Sequence, residues 1–363
     1  MSTPVLNESF YEQATGLLSG LIRIPSLSSQ EDKTATLIED FFDSQNIKKN
    51  RKGNNVWAVN KFLDPTKKTI LLNSHHDTVK ANSDYTKNPH DPIIEEGKLY
   101  GLGSNDAGGC LVSLMHAFIH FYERRDLPFN LIVSATAEEE ISGQGGVASI
   151  LSELGPVDFA IVGEPTEMKM AVAEKGLMVL DCKALGKSGH AARDQGVNAI
   201  YEALTDIEWF KNYQFDKASA FLGPVKMSVT MINSGSQHNV VPDTCEFVVD
   251  VRTTDVYSNE EVLDIILKHV KSEVHARSLR LNPSGLPSDH FAFKISDRLG
   301  IETFGSPTMS DQTLMNFPSI KMGPGKSERS HTADEFIYLK EIEEGITGYI
   351  TFLEKLFNEN NAI

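Results

Sequence analysis

The chain has 363 residues, 40% of them hydrophobic and 23% charged, enough for one large domain or two ordinary ones around a substantial core. Its 34 Lys and Arg against 50 Asp and Glu leave a formal charge of −16, which argues against nucleic acid or an anionic membrane as a partner. No apolar run approaches the ~18 residues of a membrane span, and the three scattered cysteines, Cys110, Cys182 and Cys245, fit buried thiols in a reducing cytoplasm rather than a disulfide framework.

The opening MSTPVLNESFYEQ has no basic segment followed by an apolar stretch, so no signal peptide is expected. Helical periodicity runs through Phe10 to Ile24 and Asp32 to Ser44, and Thr69 to Asn73 reads as a short buried strand. A helix is expected over Gly108 to Tyr122, with strands at Asn130 to Thr136 and Phe159 to Val162. Alternation of this kind predicts an α/β fold with a mostly parallel sheet and helices on both faces.

From about residue 173 the rhythm changes. Strands are expected at Gly176 to Ala184, Val225 to Ile232 and Cys245 to Arg252, with a last one near Ala276 to Leu281. Helices are expected at Asn198 to Phe210 and Asn259 to Ser272. The order β-α-β-β-α-β is that of a ferredoxin-like α+β unit. After Pro283-Ser284-Gly285 the chain resumes with a strand at Ser319 to Met322 and a final helix over Leu339 to Asn358. The simplest architecture inserts a domain over 173–282 into a larger one formed by 1–172 and 283–363.

The residues suited to metal ligation come in ordered clusters: His75 and Asp77 in LLNSHHDTV, Asp106 in GLGSNDAGG, Glu139 and Glu140 in TAEEEISG, Glu164 in VGEPT and His331 in RSHTADE. Three of these clusters directly follow an expected strand, and carboxyl ends of parallel strands converge on the ligand crevice. Acidic and imidazole groups gathered there repel one another unless a cation holds them, and an oxygen-and-nitrogen donor set without cysteine suits Zn²⁺, Co²⁺ or Mn²⁺. Singly, each has an ordinary explanation: a core histidine, a solvated helix start, a turn aspartate, a loop histidine. Jointly they point to one site. GLGSNDAGG also brings a dinucleotide loop to mind, but Asp106 stands where the third glycine is required.

The series His75-x-Asp77, Asp106, Glu139-Glu140, Gly163-Glu164-Pro165-Thr166 and Ser330-His331-Thr332 resembles the two-zinc aminoacylase and carboxypeptidase family, over nearly the whole chain. The resemblance implies a zinc-peptidase-like catalytic domain with an inserted lid and dimerisation domain. It implies two divalent ions per chain, Zn²⁺ first and Co²⁺ as an alternative. His75 and Glu164 would hold one, Glu140 and His331 the other, and Asp106 would bridge them, so that one ion activates water while its neighbour polarises the amide carbonyl. Asp77 would fix the tautomer of His75, and Glu139 would be the general base. Where the family usually has aspartate before the pair, this chain has Glu138.

The resemblance extends to the insert. His190 in GKSGHAA matches the histidine that steadies the tetrahedral oxyanion, often from the partner subunit of a homodimer. Asn239 in HNVVPD and Arg252 in VDVRT match positions that approach substrate, and Lys326 in GPGKSERSH is a further candidate for a substrate carboxylate. SHHDTV, GLGSNDAGG, AEKGLMVLD and SHTADEF are most similar to the acetylornithine deacetylase branch, some members of which act on N-succinylornithine or N-acetylcitrulline. A cytoplasmic hydrolase of a small N-acyl amino acid in arginine biosynthesis is the implied activity. The alternatives are a succinyl-diaminopimelate desuccinylase or a dipeptidase of the same family. A metal-binding scaffold without catalysis would have no need of Glu139 beside Glu140.

Overall fold

The computed structural model describes residues 8–193 and 195–358. The first seven residues, part of the segment read for a leader, lie outside them. The chain divides into two compact units. The larger runs to Val172 and takes in Leu286–Phe304 and the chain from Ser310 onward; the smaller is Ala173–Gly285 with Gly305–Met309. The insert expected over 173–282 thus runs on to Gly285. Ser284 and Gly285 pair with Glu174 and Ala173, and Gly305 lies against the main chain of Phe221, which draws both segments into the smaller unit.

In the larger unit the central strands Asn130–Thr136, Thr69–His75, Phe159–Val162 and Ser319–Lys321 are parallel and adjacent in that order. Antiparallel strands flank them, Asn55–Val59 and Lys49–Lys52 on one side and Met170–Glu174 on the other. Thr69–His75 and Asn130–Thr136 are buried along their whole length, as strands covered on both faces must be. Because side chains alternate, Ile70 and Leu72 enter the main core with helices Glu8–Ile22, Gly109–Phe121 and Leu339–Phe357. Leu71 faces the opposite way, into a smaller cluster with Trp57, Ile132 and Ile150 of the helix Val147–Leu154. Helices on both faces thus follow from the two-residue period of one strand. Among the described residues no helix is long and apolar enough to cross a membrane.

The smaller unit has a four-stranded antiparallel sheet in the order Lys226–Ser234, Thr244–Arg252, Met178–Leu185, Glu273–Ala276. Alternate residues Met178, Leu180, Cys182 and Ala184 are buried with helices Ala199–Asn212 and Asn259–Leu267. This is the ferredoxin-like arrangement. Two elements differ from expectation. The second helix ends at Leu267 and the last strand is Glu273–Ala276, earlier than Ala276 to Leu281. Buried Asp206 accepts the backbone N–H of Lys271 and Ser272 and the Ser272 hydroxyl, which stops the helix and starts the strand at once.

Phe118, fully buried on Gly109–Phe121 and packed 5.8 Å from Tyr122, measures how much the main core contributes. Phe118→Ala is expected to cost about 3–5 kcal/mol, read as a lowered urea midpoint of the larger unit's transition; an unchanged midpoint would mean the cavity refills.

Candidate metal centre

The crests of the parallel strands carry the site. His75 is the last residue of Thr69–His75; Glu139 and Glu140 follow Asn130–Thr136; Glu164 follows Phe159–Val162. Asp106 comes from the loop before Gly109–Phe121, where the Asp106–Ala107 peptide is cis, and His331 follows the short turn Ser327–Arg329.

His75 Nε2 is buried without a hydrogen-bond partner, 3.4 Å from Asp106 Oδ1, 3.8 Å from Glu164 Oε1 and 3.9 Å from Glu139 Oε2. The other oxygen of Asp106 turns away from His75, to 3.5 Å from His331 Nε2. His331 Nε2 in turn donates to Glu140 Oε2 at 3.0 Å. The two oxygens of one carboxylate therefore face two different imidazoles, each with its own glutamate. Ligand atoms of His75, Asp106 and Glu140, and likewise of His75, Glu139 and Glu164, all lie within 4.8 Å of one another.

His75 Nδ1 donates to the main-chain oxygen of Asp77 at 3.0 Å, so in the neutral ring Nε2 carries the lone pair. The acceptor is thus the carbonyl; the Asp77 carboxylate, 3.4 Å from Nδ1, takes the backbone N–H groups of Glu139 and Glu140 at 3.0 and 3.2 Å. With both amides held, the two side chains part company, Glu140 towards His331 and Glu139 towards His75. His76 takes no share: it is wedged between the Asn54 carbonyl and the Thr34 hydroxyl, and burial pushes its pKa down to about 4.

Burial raises Glu164 to about 8, with the nearby Asp106 and Glu140 charges adding to it, and lifts Glu139 well above the usual carboxylate range. His331 is raised to about 9, chiefly by its hydrogen bond to Glu140. Without a cation, such a cluster must hold protons in place of the missing positive charge.

Residues 71–355 match peptidase family M20/M25/M40. The chain belongs to this family. It is 30% identical over 295 residues, 76% of each chain, to acetylornithine deacetylase of Proteus mirabilis. To succinyl-diaminopimelate desuccinylase 2 of a Ruegeria species it is 24% identical over 383 residues, 96% of each chain. Among solved structures, the aminopeptidase PepT of Bacillus cereus superposes with a TM-score of 0.75 at 17% identity, covering 95% of this chain and 98% of that one, a likeness of fold. The chain is a metal-dependent amidohydrolase.

The donor set of this metallohydrolase fits divalent ions: a buried imidazole nitrogen with no hydrogen-bond partner, 3.4 to 3.9 Å from three carboxylates and so close enough to share a cation with them. Four other expected residues take no part in this donor set. In the smaller unit, His190 is exposed on a two-residue strand, its Nδ1 accepting from Ala192 N at 3.1 Å, and the neighbouring Asn239 carbonyl accepts from Ala191 N at 3.0 Å. Arg252 makes a bidentate pair with Asp250 at 2.9 and 3.2 Å. Lys326, in the larger unit, pairs with Glu167 at 2.9 Å. Two functional carboxylates were not anticipated. Glu335, buried in SHTADEF, accepts the backbone N–H of Gly103, Asn105 and Asp106 at 2.8 to 3.0 Å and so holds the loop that carries Asp106; burial, then Asp106, raises it to about 8. Asp311, buried and raised by burial to about 6, accepts from Asn73 and Thr136, each at 2.7 Å, behind the strand crests.

A divalent ion held by Glu164 and His331 would displace the protons that the raised pKa values keep on them. Both folded pKa values lie above their ordinary 4.5 and 6.5, so the metal-free chain loses stability as pH rises, from about 5 through the folded values near 8 and 9. Calorimetric Zn²⁺ titration at pH 7 in buffers of different ionisation enthalpy should register on the order of two protons released per chain. Zero release would mean these groups are not ligands.

Proposed function

We propose that this metallohydrolase removes the acyl group from N2-acetylornithine or a close relative, N-succinylornithine or N-acetylcitrulline, as a step of arginine biosynthesis in the cytoplasm. The observation that carries the hydrolytic part is the shared Asp106 carboxylate, one oxygen towards His75 and one towards His331, with Glu139 beside it. The substrate part rests on the 30% identity to an acetylornithine deacetylase. The alignment over 96% of each chain to a desuccinylase supports N-succinyl-diaminopimelate as the second reading.

In this reading His75 and Glu164 would hold one Zn²⁺ and Glu140 and His331 the other, with Asp106 shared between them; Co²⁺ is the alternative. When bound, such ions would polarise the scissile carbonyl and make water acidic enough for a carboxylate base to act. The chain's own part is proton handling and orientation. Glu139, in a buried site that favours its protonated form, accepts the proton of the attacking water and delivers it to the departing amine. Asp77, through the amides of Glu139 and Glu140, keeps base and ligand apart. His190 donates to the developing oxyanion, and Asn239, Arg252 and Lys326 receive the amino-acid end of the substrate, Arg252 by exchanging Asp250 for the substrate carboxylate. A homodimer through the smaller unit is supported by its edge strand Lys226–Ser234, where Met231 and Ile232 are 64% and 57% exposed.

Comparing kcat/KM for N-acetylornithine, N-succinylornithine, N-acetylcitrulline and N-succinyl-diaminopimelate tests the substrate class: an ornithine derivative should lead, and a diaminopimelate lead would replace it with the second reading. In the same assay Glu139→Ala should abolish turnover while keeping its metal, whereas Glu140→Ala loses metal. Equal metal loss in both would reverse the pair.

His190→Ala should keep metal and fold but lower kcat by about 10²–10³, the worth of one oxyanion donor. Unchanged kcat would remove His190 from the reaction.

A further inference from the structure

The turn joining helices Glu8–Ile22 and Asp32–Ser44 of the larger unit carries no metal ligand, yet three of its side chains end on the groups that hold Glu139 and Glu140. Glu31 is wholly buried. Its Oε1 accepts the backbone N–H of Ser29 at 2.6 Å and of Glu138 at 3.2 Å, and its Oε2 accepts from Asn54 Nδ2 at 2.8 Å. Ser29 Oγ donates to Glu138 Oε1 at 2.9 Å. Ser28 Oγ donates at 2.7 Å to Asp77 Oδ2, the same oxygen that accepts the amide of Glu140.

Glu138 is the residue that needs holding. It sits at φ +55°, a left-handed conformation that a long side chain seldom adopts unaided. Its other carboxylate oxygen accepts the Gly145 amide at 2.8 Å, and a Cβ at Gly143 would come within 2.0 Å of it, so the side chain lies folded over the glycine loop that follows. A backbone reversal at Glu138 decides which way the next residue, Glu139, projects. The charged acceptor on its amide and the hydroxyl on its carboxylate both come from the one turn.

We propose that Ser28, Ser29 and Glu31 form a positioning clamp that sets the direction of the Glu139 carboxylate without binding metal. The proposal rests on Glu139 being the base. A misplacement of about 1 Å at a proton-transfer group costs on the order of 10²-fold in rate, so the clamp acts on kcat and leaves substrate binding alone.

The test uses the full chain loaded with Zn²⁺ and whichever of the four N-acyl amino acids it turns over fastest. Glu31→Gln sets the new amide nitrogen against Asn54 Nδ2, donor against donor, and should lower kcat by about 10- to 100-fold with KM within about twofold. Ser29→Ala should lower kcat by about 3- to 10-fold. Elemental analysis should find the wild-type metal content in both. Adding Asn54→Asp to Glu31→Gln returns an acceptor to the amide and should restore kcat to within about threefold of wild type. Wild-type kcat in Glu31→Gln and Ser29→Ala, beside an inactive Glu139→Ala, would overturn the clamp. So would metal loss in Ser29→Ala, or a double variant no faster than Glu31→Gln. If Glu31→Gln fails to fold, Ser29→Ala carries the test, its hydroxyl being exposed. Wild-type turnover by Glu139→Ala would instead defeat the base assignment, a separate result.

Discussion

Burying several carboxylates within a few ångströms of one another is the constraint on which the site of this family member is built. Like charges brought out of water repel strongly, and the chain answers in two ways. The inner carboxylates, Asp106, Glu139, Glu140 and Glu164, share two imidazoles and are arranged for cations. A second set, Asp77, Glu335 and Glu31, is satisfied by backbone N–H groups of the loops that carry the first. Each outer carboxylate thereby becomes a loop anchor, and where it is ionised, as the lowered pKa of Asp77 favours, its hydrogen bonds are charge-assisted and about twice as strong as neutral ones.

The fold serves the same end. Four parallel strands end side by side, so three loops emerge within reach of a common centre without long excursions. Thr69–His75 and Asn130–Thr136 are apolar on both faces through residues 70–72 and 131–133, beyond which Asn73, Ser134 and Thr136 replace aliphatic side chains and pass hydrogen bonds towards Asp311. The transition from core to chemistry takes place within one strand length.

That logic explains what was legible in the sequence. His75, Asp106, Glu139, Glu140, Glu164 and His331 each sit in a short word at the end of an element, so order and local context were enough to gather them. The buried strands Asn130–Thr136 and Phe159–Val162 announced themselves as apolar runs. Glu31, Asp311 and Glu335 did not, because their partners are distant in the chain and no period or spacing links Glu31 to Glu138 or Glu335 to Asp106. Three-residue strands such as Ile93–Glu95 and Phe336–Tyr338 are too short for alternation to register. The helix Phe291–Leu299 did leave a signal, apolar Phe291, Ala292 and Ile295 followed by Gly300 at φ +67° as its stop. Arg252 shows the opposite difficulty: sequence identifies a cation at a strand end, but only structure reveals that Asp250 already occupies its guanidinium.

The division of labour proposed for Glu139 and Glu140 sets apart by surroundings what chemistry leaves equal. The two residues are identical in kind and adjacent in sequence, and their amides bond to the same Asp77 carboxylate. Nothing in the side chains distinguishes a ligand from a base. Their surroundings do: Glu140 meets His331, which draws it into the cation-holding set, whereas Glu139 lies among His75, Glu164 and Asp311 in a buried environment that raises its proton affinity. Which residue enters which environment depends on the backbone direction entering the pair, and that direction is inherited from the left-handed turn at Glu138. Aspartate adopts such a turn more readily than glutamate, so a glutamate there needs support, and its longer arm reaches both Ser29 and Gly145 to obtain it. The glutamate ahead of the pair is therefore tied to the turn that supports it.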